Sequence, residues 1–571
     1  MSMFALIRRV VPLQFSAAPW RNVFMMIAAM LHGLTWTAGI VATQGLFDAV
    51  SRAAAGQAVF MDAFVPLLWL AAATFAQQTM NGVHNFMHMV MNEITVGSLS
   101  IRLFAKLKNI DPARFEDTDF LDDLNKGREG IKEIYNFCVG IVTLPFFYGV
   151  FFLSVGIYLF RLQPMLAAIL GLSFVPALLS QIVRARVFTK LEEEAAPVRR
   201  EHEYYQKTLC DREYFKETRI LGAFRFFKRL FDETLRTLVR KEWNAERKMT
   251  LLQLGLNITS FGGMAVATVM LFNATMDGII TVGAFAAVFG ALGMIFDIMD
   301  EIVNMHIGGM NKNVGKVSNY IRLLDAPERQ PVAHTDRLGG VMAEDISFTY
   351  PGRSEPAING VSLHISENET VAIVGENGAG KSTLVRLLTG IYQPSEGSVK
   401  LGADGVSGVF QKFQRYKMTL RENISISDRR ADADDKEVAR ALREAGTDFD
   451  FGMETMLSPE FDGIDLSGGQ WQRLAIARGL YRAGGFMVLD EPTAAIDPIE
   501  ETRVYQQFQH LAKGKCALIV THRLGSAKLA DRIIVMEAGR ITDTGTHEEL
   551  LARTGKYAEM WAAQAQWYER D

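Results

Sequence analysis

The sequence predicts two parts of different fold class: an α-helical membrane bundle with six spans, followed by a soluble α/β domain. Two observations lead to this prediction. Stretches of 19 or more residues without Asp, Glu, Lys or Arg occur six times, all before residue 300. After residue 340 the chain instead alternates short apolar strands with helical segments and glycine-rich turns. Core helices are seldom both this long and this free of charge, so the six stretches are best explained as bilayer spans.

Composition excludes several other classes. The chain has 571 residues, of which 49% are hydrophobic and 22% are charged, so it is neither disordered nor collagen-like. Its three cysteines, Cys138, Cys210 and Cys516, lie too far apart in sequence to suggest a disulfide framework or a zinc site. The net charge of −4 gives no general argument for a nucleic-acid partner, and none is expected.

The predicted transmembrane domain covers residues 1–325. About 20 residues at 1.5 Å each are needed to cross roughly 30 Å of hydrocarbon. The basic residues 1–21 are expected to form a short interfacial helix before the first span. The six membrane helices are expected at about 23–47, 60–92, 134–160, 162–184, 249–276 and 278–310.

The charges of the linkers between the spans predict the orientation of the chain in the membrane. Linker 93–133 holds seven Lys and Arg residues and linker 184–248 holds seventeen, whereas the alternate linkers hold only Arg52, Arg161 and none. By the positive-inside rule, the two basic loops and both termini are cytoplasmic. Both loops have a helical pattern, so they are interpreted as helices that continue into the cytoplasm and bend near 111–115 and 211–215.

The second part begins after a proline-containing linker at 326–340 and is predicted to occupy residues 341–571. Its charge differs from that of the first part: residues 1–340 sum to +4 and residues 341–571 to −8. The apolar excess of the chain therefore belongs to the predicted membrane half.

The strongest motif of the second part is Gly375-Glu376-Asn377-Gly378-Ala379-Gly380-Lys381-Ser382, which is continued by Thr383. It follows the apolar strand 370–374 and opens a helix predicted at 383–389. This setting is typical of the phosphate-binding loop of a P-loop NTPase, in which backbone N–H groups surround the phosphates at a helix N-terminus. Lys381 is expected to reach the outer phosphates of ATP, and the Ser382 hydroxyl to ligate Mg²⁺.

A second element, Phe486-Met487-Val488-Leu489-Asp490-Glu491, brings two carboxylates to the end of a buried strand. Asp490 is expected to hold Mg²⁺, and Glu491 to polarise the attacking water. Either motif alone is compatible with a purely structural role. Both in this order, about 110 residues apart, favour an ATPase.

Between the two motifs lies Leu466-Ser467-Gly468-Gly469-Gln470-Trp471-Gln472-Arg473. With this segment the chain resembles an ATP-binding cassette (ABC) exporter subunit, a half-transporter that fuses six spans to one nucleotide-binding domain. In that family the segment matching Ser467, Gly468, Gly469 and Gln470 completes the ATP site of the partner subunit. The resemblance covers the whole chain, and its motifs lie in the second half.

Four further residues match the family in order. Tyr350 resembles the aromatic residue that stacks on adenine, and Gln411 resembles the glutamine that senses Mg²⁺. Asp497 ends Ala494-Ala495-Ile496-Asp497, where the family usually has Ser-Ala-Leu-Asp. His522 resembles the switch histidine that contacts the γ-phosphate.

The chain departs from the family in the spacing of two motifs, and a neighbouring segment concerns the cargo. Lys381 and Gln411 are only 30 residues apart, which is shorter than usual for such exporters. The segment 410–424 resembles a subgroup that includes lantibiotic and other peptide exporters, which implies a peptide cargo. A lipid flippase or a multidrug exporter remains the alternative.

The resemblance also implies a dimer in the bacterial cytoplasmic membrane that works by alternating access. Lys381, Ser467, Glu491 and His522 are all present, so two copies would form two complete ATP sites. A homodimer is therefore favoured, and a heterodimer is left open.

Two polar clusters in the membrane half are candidates for cargo contact. Asp297, Asp300 and Glu301 share a helical face, where they would attract a cationic cargo or simply be solvated below the bilayer. His84 and His88 share a face of the second span near several methionines. One helix face supplies too few ligands for a metal, so cavity-lining histidines are the favoured interpretation.

Overall fold

The structure is a computed structural model that describes most of the chain. Outside the described residues lie 1–2, 60, 330–333, 336–339, 403–404, 429–433, 448, 483, 492–505, 507, 510–511, 513 and 569–571. The chain forms two compact units. One unit consists of residues 1–108 with 122–326, and the other of residues 109–121 with 327–571.

Helices make up the described part of the first unit. Short π-helical turns at Leu144–Tyr148 and Glu301–Ile307 connect two pairs of helices end to end. The helices are α1 Met3–Ala17, α2 Pro19–Ala54, α3 Met61–Lys108, α4 Thr118–Thr143, α5 Gly149–Leu162, α6 Pro164–Cys210, α7 Phe215–Ile220, α8 Phe224–Met276, α9 Val282–Asp300 and α10 Gly308–Leu324.

Four helical segments among the described residues are long and apolar enough to cross a membrane: Pro19–Ala54, Thr118–Leu162, Phe224–Met276 and Val282–Leu324. The other two predicted spans, 60–92 and 162–184, lie in α3 and α6. The spanning half of α3 is made less apolar by Gln77, Gln78 and Asn81. In α6 the apolar piece, Pro164–Ser180, is shorter than these four segments and is not counted with them. Length and composition thus support four of the six predicted spans directly.

Small side chains let these helices pack closely. In the core of the first unit, Phe151 of α5 belongs to the same apolar cluster as the buried alanines of α9, Ala284, Ala287 and Ala291. Large apolar side chains elsewhere point outward, and Phe75 remains 74% exposed. An apolar outer surface is expected where helices face lipid rather than water.

The helical extensions are interrupted where the sequence predicts bends. Helix α3 ends at Lys108, and a single 3₁₀ turn, Pro112–Glu116, precedes α4. Asp111 caps this turn by accepting a 3.0 Å hydrogen bond from the backbone N–H of Ala113. Helix α6 ends at Cys210, and the short helix α7 lies between it and α8.

The second unit contains two sheets. The described strands are β1 His334–Thr335, β2 Val341–Phe348, β3 Ile358–Ile365, β4 Thr370–Gly375, β5 Glu396–Gly402, β6 Val406–Val409, β7 Phe486–Asp490, β8 Cys516–Val520, β9 Arg532–Glu537 and β10 Arg540–Gly545. The four-stranded sheet has the order β1-β5-β2-β3. The six-stranded sheet has the order β10-β9-β4-β8-β7-β6, in which only β10 among the described strands is antiparallel to its neighbour.

Helices flank the sheets of the second unit. They span Lys381–Leu388, Leu420–Ser425, Asp435–Glu444, Gly468–Tyr481, Leu524–Ala527, His547–Ala552 and Lys556–Tyr568, with a 3₁₀ turn at Pro459–Phe461. Strands β4, β7 and β8 are buried along their whole length, which explains their continuous apolar sequence. Because these strands are parallel neighbours, their carboxyl ends meet at one edge, where ligands bind in such sheets.

Candidate active site

The loop from Gly375 to Gly380 joins strand β4 to the helix Lys381–Leu388. At Gly375 φ is +154°, and a Cβ would lie 2.3 Å from the carbonyl oxygen of Met536. At Gly380 φ is +96°, and a Cβ would lie 2.7 Å from the carbonyl oxygen of Ala357. Both positions therefore require glycine. The loop presents bare backbone at the N-terminus of a helix, which is the arrangement that binds phosphate.

Lys381 is buried within this loop. Only 6% of its surface is exposed, and its Nζ donates hydrogen bonds to the carbonyl oxygens of Gly375 at 2.9 Å and Glu376 at 3.0 Å. Burial lowers the pKa of Lys381, while the negative charges of Glu491 and Asp490 act in the opposite direction. This ammonium group is thus held where a phosphate on the loop would pair with it.

Asp490 lies at the end of β7 and is 3% exposed. Its Oδ1 is 3.4 Å from the Ser382 hydroxyl, which donates to it. Burial raises the pKa of Asp490 to about 6, and the charge of Glu491 adds to this effect. A buried carboxylate beside a hydroxyl is a set of hard oxygen donors, which fits a magnesium site.

Glu491 follows Asp490, and its carboxylate lies close to both Gln411 and His522. Its Oε2 accepts a 3.0 Å hydrogen bond from Nε2 of Gln411 and lies 3.8 Å from Nδ1 of His522. The interaction with His522 lowers the pKa of Glu491 against the opposing effect of burial. The backbone of Glu491 has φ of +44°, a left-handed conformation that is strained for a residue with a Cβ.

Tyr350, the predicted adenine contact, is half-buried beside the loop. Its hydroxyl is 2.9 Å from Oγ1 of Thr383 and accepts a 3.2 Å hydrogen bond from Arg386. The ring packs edge-on against Phe348 and Tyr392. Arg386 therefore links Tyr350 to the helix that follows the phosphate-binding loop.

Arg386 also reaches the segment that connects α3 to α4. It donates a 3.1 Å hydrogen bond to the hydroxyl of Tyr392, which in turn donates a 2.8 Å hydrogen bond to Glu116. Glu116 lies 3.5 Å from Arg386 as an ion pair, and nearby Ala113 is 3% exposed in the core of the second unit. Burial and the bond to Glu116 raise the pKa of Tyr392. A continuous polar network thus links Glu116 to Tyr350.

The segment Ser467-Gly468-Gly469-Gln470 begins the helix Gly468–Tyr481 as a capping box. The Ser467 hydroxyl accepts a 3.3 Å hydrogen bond from the backbone N–H of Gln470, and Oε1 of Gln470 accepts a 2.9 Å bond from the N–H of Ser467. Within the part of the chain that the structure describes, these bonds stay inside the cap. The segment is exposed at Ser467, so it presents a helix N-terminus to its surroundings.

Most of the predicted residues of the ATP site lie together, with some exceptions. Asp497 is outside the described residues. The cap at Ser467 makes no described hydrogen bond to the phosphate loop. Arg386, Tyr392 and Glu116 were missed from the sequence because no motif marks them. The only local signal was the spacing of Arg386, one helical turn after Ser382.

The two polar clusters of the membrane half are arranged differently. Nδ1 of His84 lies 3.5 Å from Nδ1 of His32, which accepts a 3.0 Å hydrogen bond at Nε2 from Trp36. His88 instead packs edge-on against Tyr135. Among the described residues, no three His, Cys, Asp or Glu side chains are grouped to hold a metal ion.

Asp297, Asp300 and Glu301 are all exposed. Glu301 keeps α-helical backbone angles, and its N–H donates to the carbonyl oxygen of Asp297, so the three residues share one helical face just before the π-helical turn. Glu301 comes within 4.0 Å of His306.

A phosphate-binding loop, a buried carboxylate beside a hydroxyl and a second carboxylate contacted by Gln411 and His522 define an ATPase of the P-loop class, here joined to a helical membrane domain. Comparison with known proteins gives the family. Residues 23–299 match the ABC transporter transmembrane region, and residues 358–494 match the ABC transporter ATP-binding family. The chain belongs to the ABC transporters and combines both parts of an exporter-type half-transporter. It binds ATP, couples ATP hydrolysis to transport and acts as an exporter.

Two similar proteins match about four fifths of the chain, and a third matches half of it. It is 28% identical over 502 residues to the subtilin transport ATP-binding protein SpaT of Bacillus subtilis, covering 82% of this chain and 80% of that protein. It is 26% identical over 507 residues to the nisin transport ATP-binding protein NisT of Lactococcus lactis, covering 81% of each. The ATP-dependent lipid A-core flippase of Thiobacillus denitrificans is 33% identical over 308 residues, covering 50% of this chain and 52% of the flippase.

A solved structure has the same fold. The structure of a bacterial Atm1-family ABC exporter with ATP bound aligns with a TM-score of 0.80 over 95% of this chain and 99% of that chain, at 23% identity. At this identity the similarity concerns the fold alone. The predicted fold class, a helical membrane bundle joined to a P-loop NTPase domain, is confirmed.

Proposed function

We propose that two identical chains form an exporter that moves a peptide out of the cytoplasm. Each of its two ATP sites would combine the loop Gly375–Thr383 of one chain with the segment beginning at Ser467 of the other. The support is the exposed cap at Ser467, whose described hydrogen bonds leave its helix N-terminus open to a phosphate. Lys381, Glu491 and His522 are all present, so neither site would be degenerate.

In each site Tyr350 would stack on adenine, and Lys381 would pair with the outer phosphates. Ser382, Asp490 and Gln411 would hold Mg²⁺. When bound, the ion neutralises phosphate charge and so makes the terminal phosphate easier to attack. Asp497 is proposed to contribute to the same site.

The observation that carries the hydrolytic role is the convergence of Gln411 and His522 on one oxygen of Glu491. A carboxylate whose pKa is lowered stays ionised at neutral pH and accepts a hydrogen bond from water. In this proposal Glu491 orients and polarises the water. Gln411 fixes the position of its carboxylate through a hydrogen bond, and His522 lies beside the carboxylate and also faces the terminal phosphate.

The proposed location is the bacterial cytoplasmic membrane, with the nucleotide-binding domain and both termini in the cytoplasm. The basic loops 93–133 and 184–248 support this orientation. Cargo would enter from the cytoplasm or the inner leaflet while the spans face inward, and it would leave after ATP has brought the two nucleotide-binding domains together.

A peptide cargo is supported by the two relatives that the chain matches over about four fifths of its length, which are named for subtilin and nisin transport. A lipid cargo is the second candidate. It is favoured by the higher identity to lipid A-core flippases, although those matches cover only about half of the chain. A multidrug exporter has no such specific support.

The two cargo classes are distinguished by ATPase measurements on the full chain in proteoliposomes. We expect subtilin or nisin to raise the ATPase rate, and lipid A to leave it unchanged. Stimulation by lipid A but not by peptide would overturn the peptide assignment. Stimulation by neither would place the cargo outside both classes.

The Glu491→Gln variant checks that the measured rate belongs to the proposed site. We expect it to bind ATP but to hydrolyse it about 10²–10³-fold more slowly, the usual effect of losing a general base. Full turnover by this variant would show that Glu491 does not polarise the water.

A further inference from the structure

The last described helix, Lys556–Tyr568, is anchored against the short helix Leu524–Ala527 that follows His522. Tyr557 is 1% exposed, and it packs with Trp561, Leu524 and other apolar residues in one buried cluster. The Tyr557 hydroxyl lies 2.8 Å from Nδ1 of the buried His547. The spacing of 557, 561 and 564 places Gln564 on the same face of the helix as these anchors.

Gln564 uses both ends of its side-chain amide on the backbone around His522. Its Nε2 donates a 2.6 Å hydrogen bond to the carbonyl oxygen of His522. Its Oε1 accepts a 3.0 Å hydrogen bond from the backbone N–H of Leu524, one of the N–H groups that a helix N-terminus leaves without an internal partner. The amide thus spans the backbone on both sides of Arg523.

The backbone of His522 contributes to the position of its side chain. Its side chain is 52% exposed, and its Nδ1 is 3.8 Å from Glu491, too far for a well-formed hydrogen bond. The loop starts at a fixed point, because β8 ends at Val520 within the buried sheet. The Thr521 hydroxyl accepts a 3.0 Å hydrogen bond from the backbone N–H of Arg523 within the loop. The two bonds from Gln564 tie the other side of the loop to the helix Lys556–Tyr568, so they help to set the position of the His522 backbone.

We propose that Gln564 is a positioning residue for ATP hydrolysis, which holds the His522 backbone so that the imidazole stays directed at Glu491 and the terminal phosphate. This inference rests on the role proposed for His522 and goes beyond it by assigning a function to the helix Lys556–Tyr568. No family motif marks Gln564, which lies 42 residues after His522 in the sequence.

The same helix contacts the phosphate loop at its other end. Nζ of Lys556 lies 2.6 Å from Oε1 of Glu376, an ion pair whose glutamate is 66% exposed. An exposed pair of this kind contributes little on its own. It shows that one rigid helix touches both loops of the ATP site, whereas the argument for positioning rests on Gln564.

The test uses the full chain in proteoliposomes with Gln564→Ala and Gln564→Glu. Alanine removes both hydrogen bonds. Glutamate keeps the shape and the acceptor for Leu524 but places an ionised oxygen against the His522 carbonyl. We expect kcat for ATP to fall about tenfold in both variants, while KM changes less than about twofold, because phosphate binding does not depend on this contact.

A double-mutant cycle with His522→Ala separates positioning from a general structural effect. If Gln564 acts through His522, adding Gln564→Ala to His522→Ala should lower kcat by less than about twofold. Equal loss of kcat in both backgrounds would overturn the proposal. A His522→Ala variant with full activity would instead contradict the proposed role of His522 itself.

Gln509→Ala is the matched control. Gln509 also donates its side-chain amide to a backbone carbonyl, that of Leu529, at 2.9 Å in the same domain, and this described bond lies outside the residues 521–524 around His522. We expect this variant to lose similar thermal stability and to keep its kcat. A fall in kcat equal to that of Gln564→Ala would show that loss of any such bond has the same effect.

Discussion

At the scale of single residues, the ATP site buries the carboxyl group of Asp490, whose charged form is unfavourable there without a bound ligand. Asp490 is 3% exposed, and its pKa is raised to about 6 from an ordinary value of 3.8, mainly by burial. The nucleotide-free domain is therefore more stable when this carboxyl is protonated. That contribution is complete at pH values below about 4 and is lost as the pH rises through about 6.

Asp490→Asn should therefore stabilise the nucleotide-free protein in a pH-dependent manner. The amide stays neutral at every pH, so the free energy of unfolding should rise by about 1–3 kcal/mol relative to wild type at pH 8. The gain should shrink between pH 6 and pH 4. Thermal or urea unfolding of the two proteins in detergent, without nucleotide, at several pH values measures the difference.

Asp119→Asn provides the control, because it makes the same substitution at an exposed carboxylate of the same unit. Addition of Mg²⁺ with ATP should then stabilise wild type more than Asp490→Asn, since the amide is the poorer ligand. Destabilisation of Asp490→Asn by the same amount at every pH would contradict this account of the site.

At the scale of elements, the sequence predicts those parts of the site that are encoded locally. A run of apolar residues followed by glycines predicts the strand at 370–374 and the loop after it, and the structure has β4 at Thr370–Gly375. The buried strand β7, which ends in Asp490, is predicted by the same kind of local pattern. In both cases a few consecutive residues suffice, because a buried parallel strand and a glycine turn have strong local patterns.

The contacts that the sequence did not predict join residues far apart in the chain. Tyr392 and Glu116 are 276 positions apart, and Gln564 lies 42 positions from His522. Single side chains that bond to a distant partner leave no periodic pattern in the sequence. Predicting them requires the packing of the whole unit, which sets which surfaces meet.

The segment 109–121 belongs to the second unit although it lies between α3 and most of α4 in the chain, and Glu116 is a charged contact of this segment within the second unit. Glu116→Gln should weaken the bonds to Tyr392 and Arg386 by about 1 kcal/mol, since it replaces charge-assisted hydrogen bonds by neutral ones. We expect cargo to stimulate the ATPase rate less in this variant than in wild type. Rates with and without peptide in proteoliposomes give the ratio.

Asp119→Asn again serves as the control, because Asp119 is exposed on the same segment and should keep the ratio of wild type. An undiminished ratio in Glu116→Gln would show that the link to Tyr392 and Arg386 has no part in coupling. A ratio reduced equally in both variants would point to the net charge of the segment instead.

At the scale of the whole molecule, the chain divides its chemistry between two unlike halves. The membrane half sums to +4, and the ATPase half to −8. The loop Gly375–Gly380 and the cap at Ser467 each expose a helix N-terminus suited to phosphate, yet the described hydrogen bonds of the cap stay within it. The two are best explained as halves of a site that is completed between chains, which can be tested by mixing variants.

Chains with Lys381→Ala and chains with Ser467→Arg, carrying different affinity tags, would be co-expressed and their mixed dimers isolated. If sites form between chains, this dimer keeps one complete site, made from the loop of the Ser467→Arg chain and the cap of the Lys381→Ala chain, and it should hydrolyse ATP. A dimer of wild type with the Lys381→Ala/Ser467→Arg double variant should be inactive, because each site then has one damaged half. Sites within single chains predict the reverse order of the two rates, and equal rates would contradict the composite site.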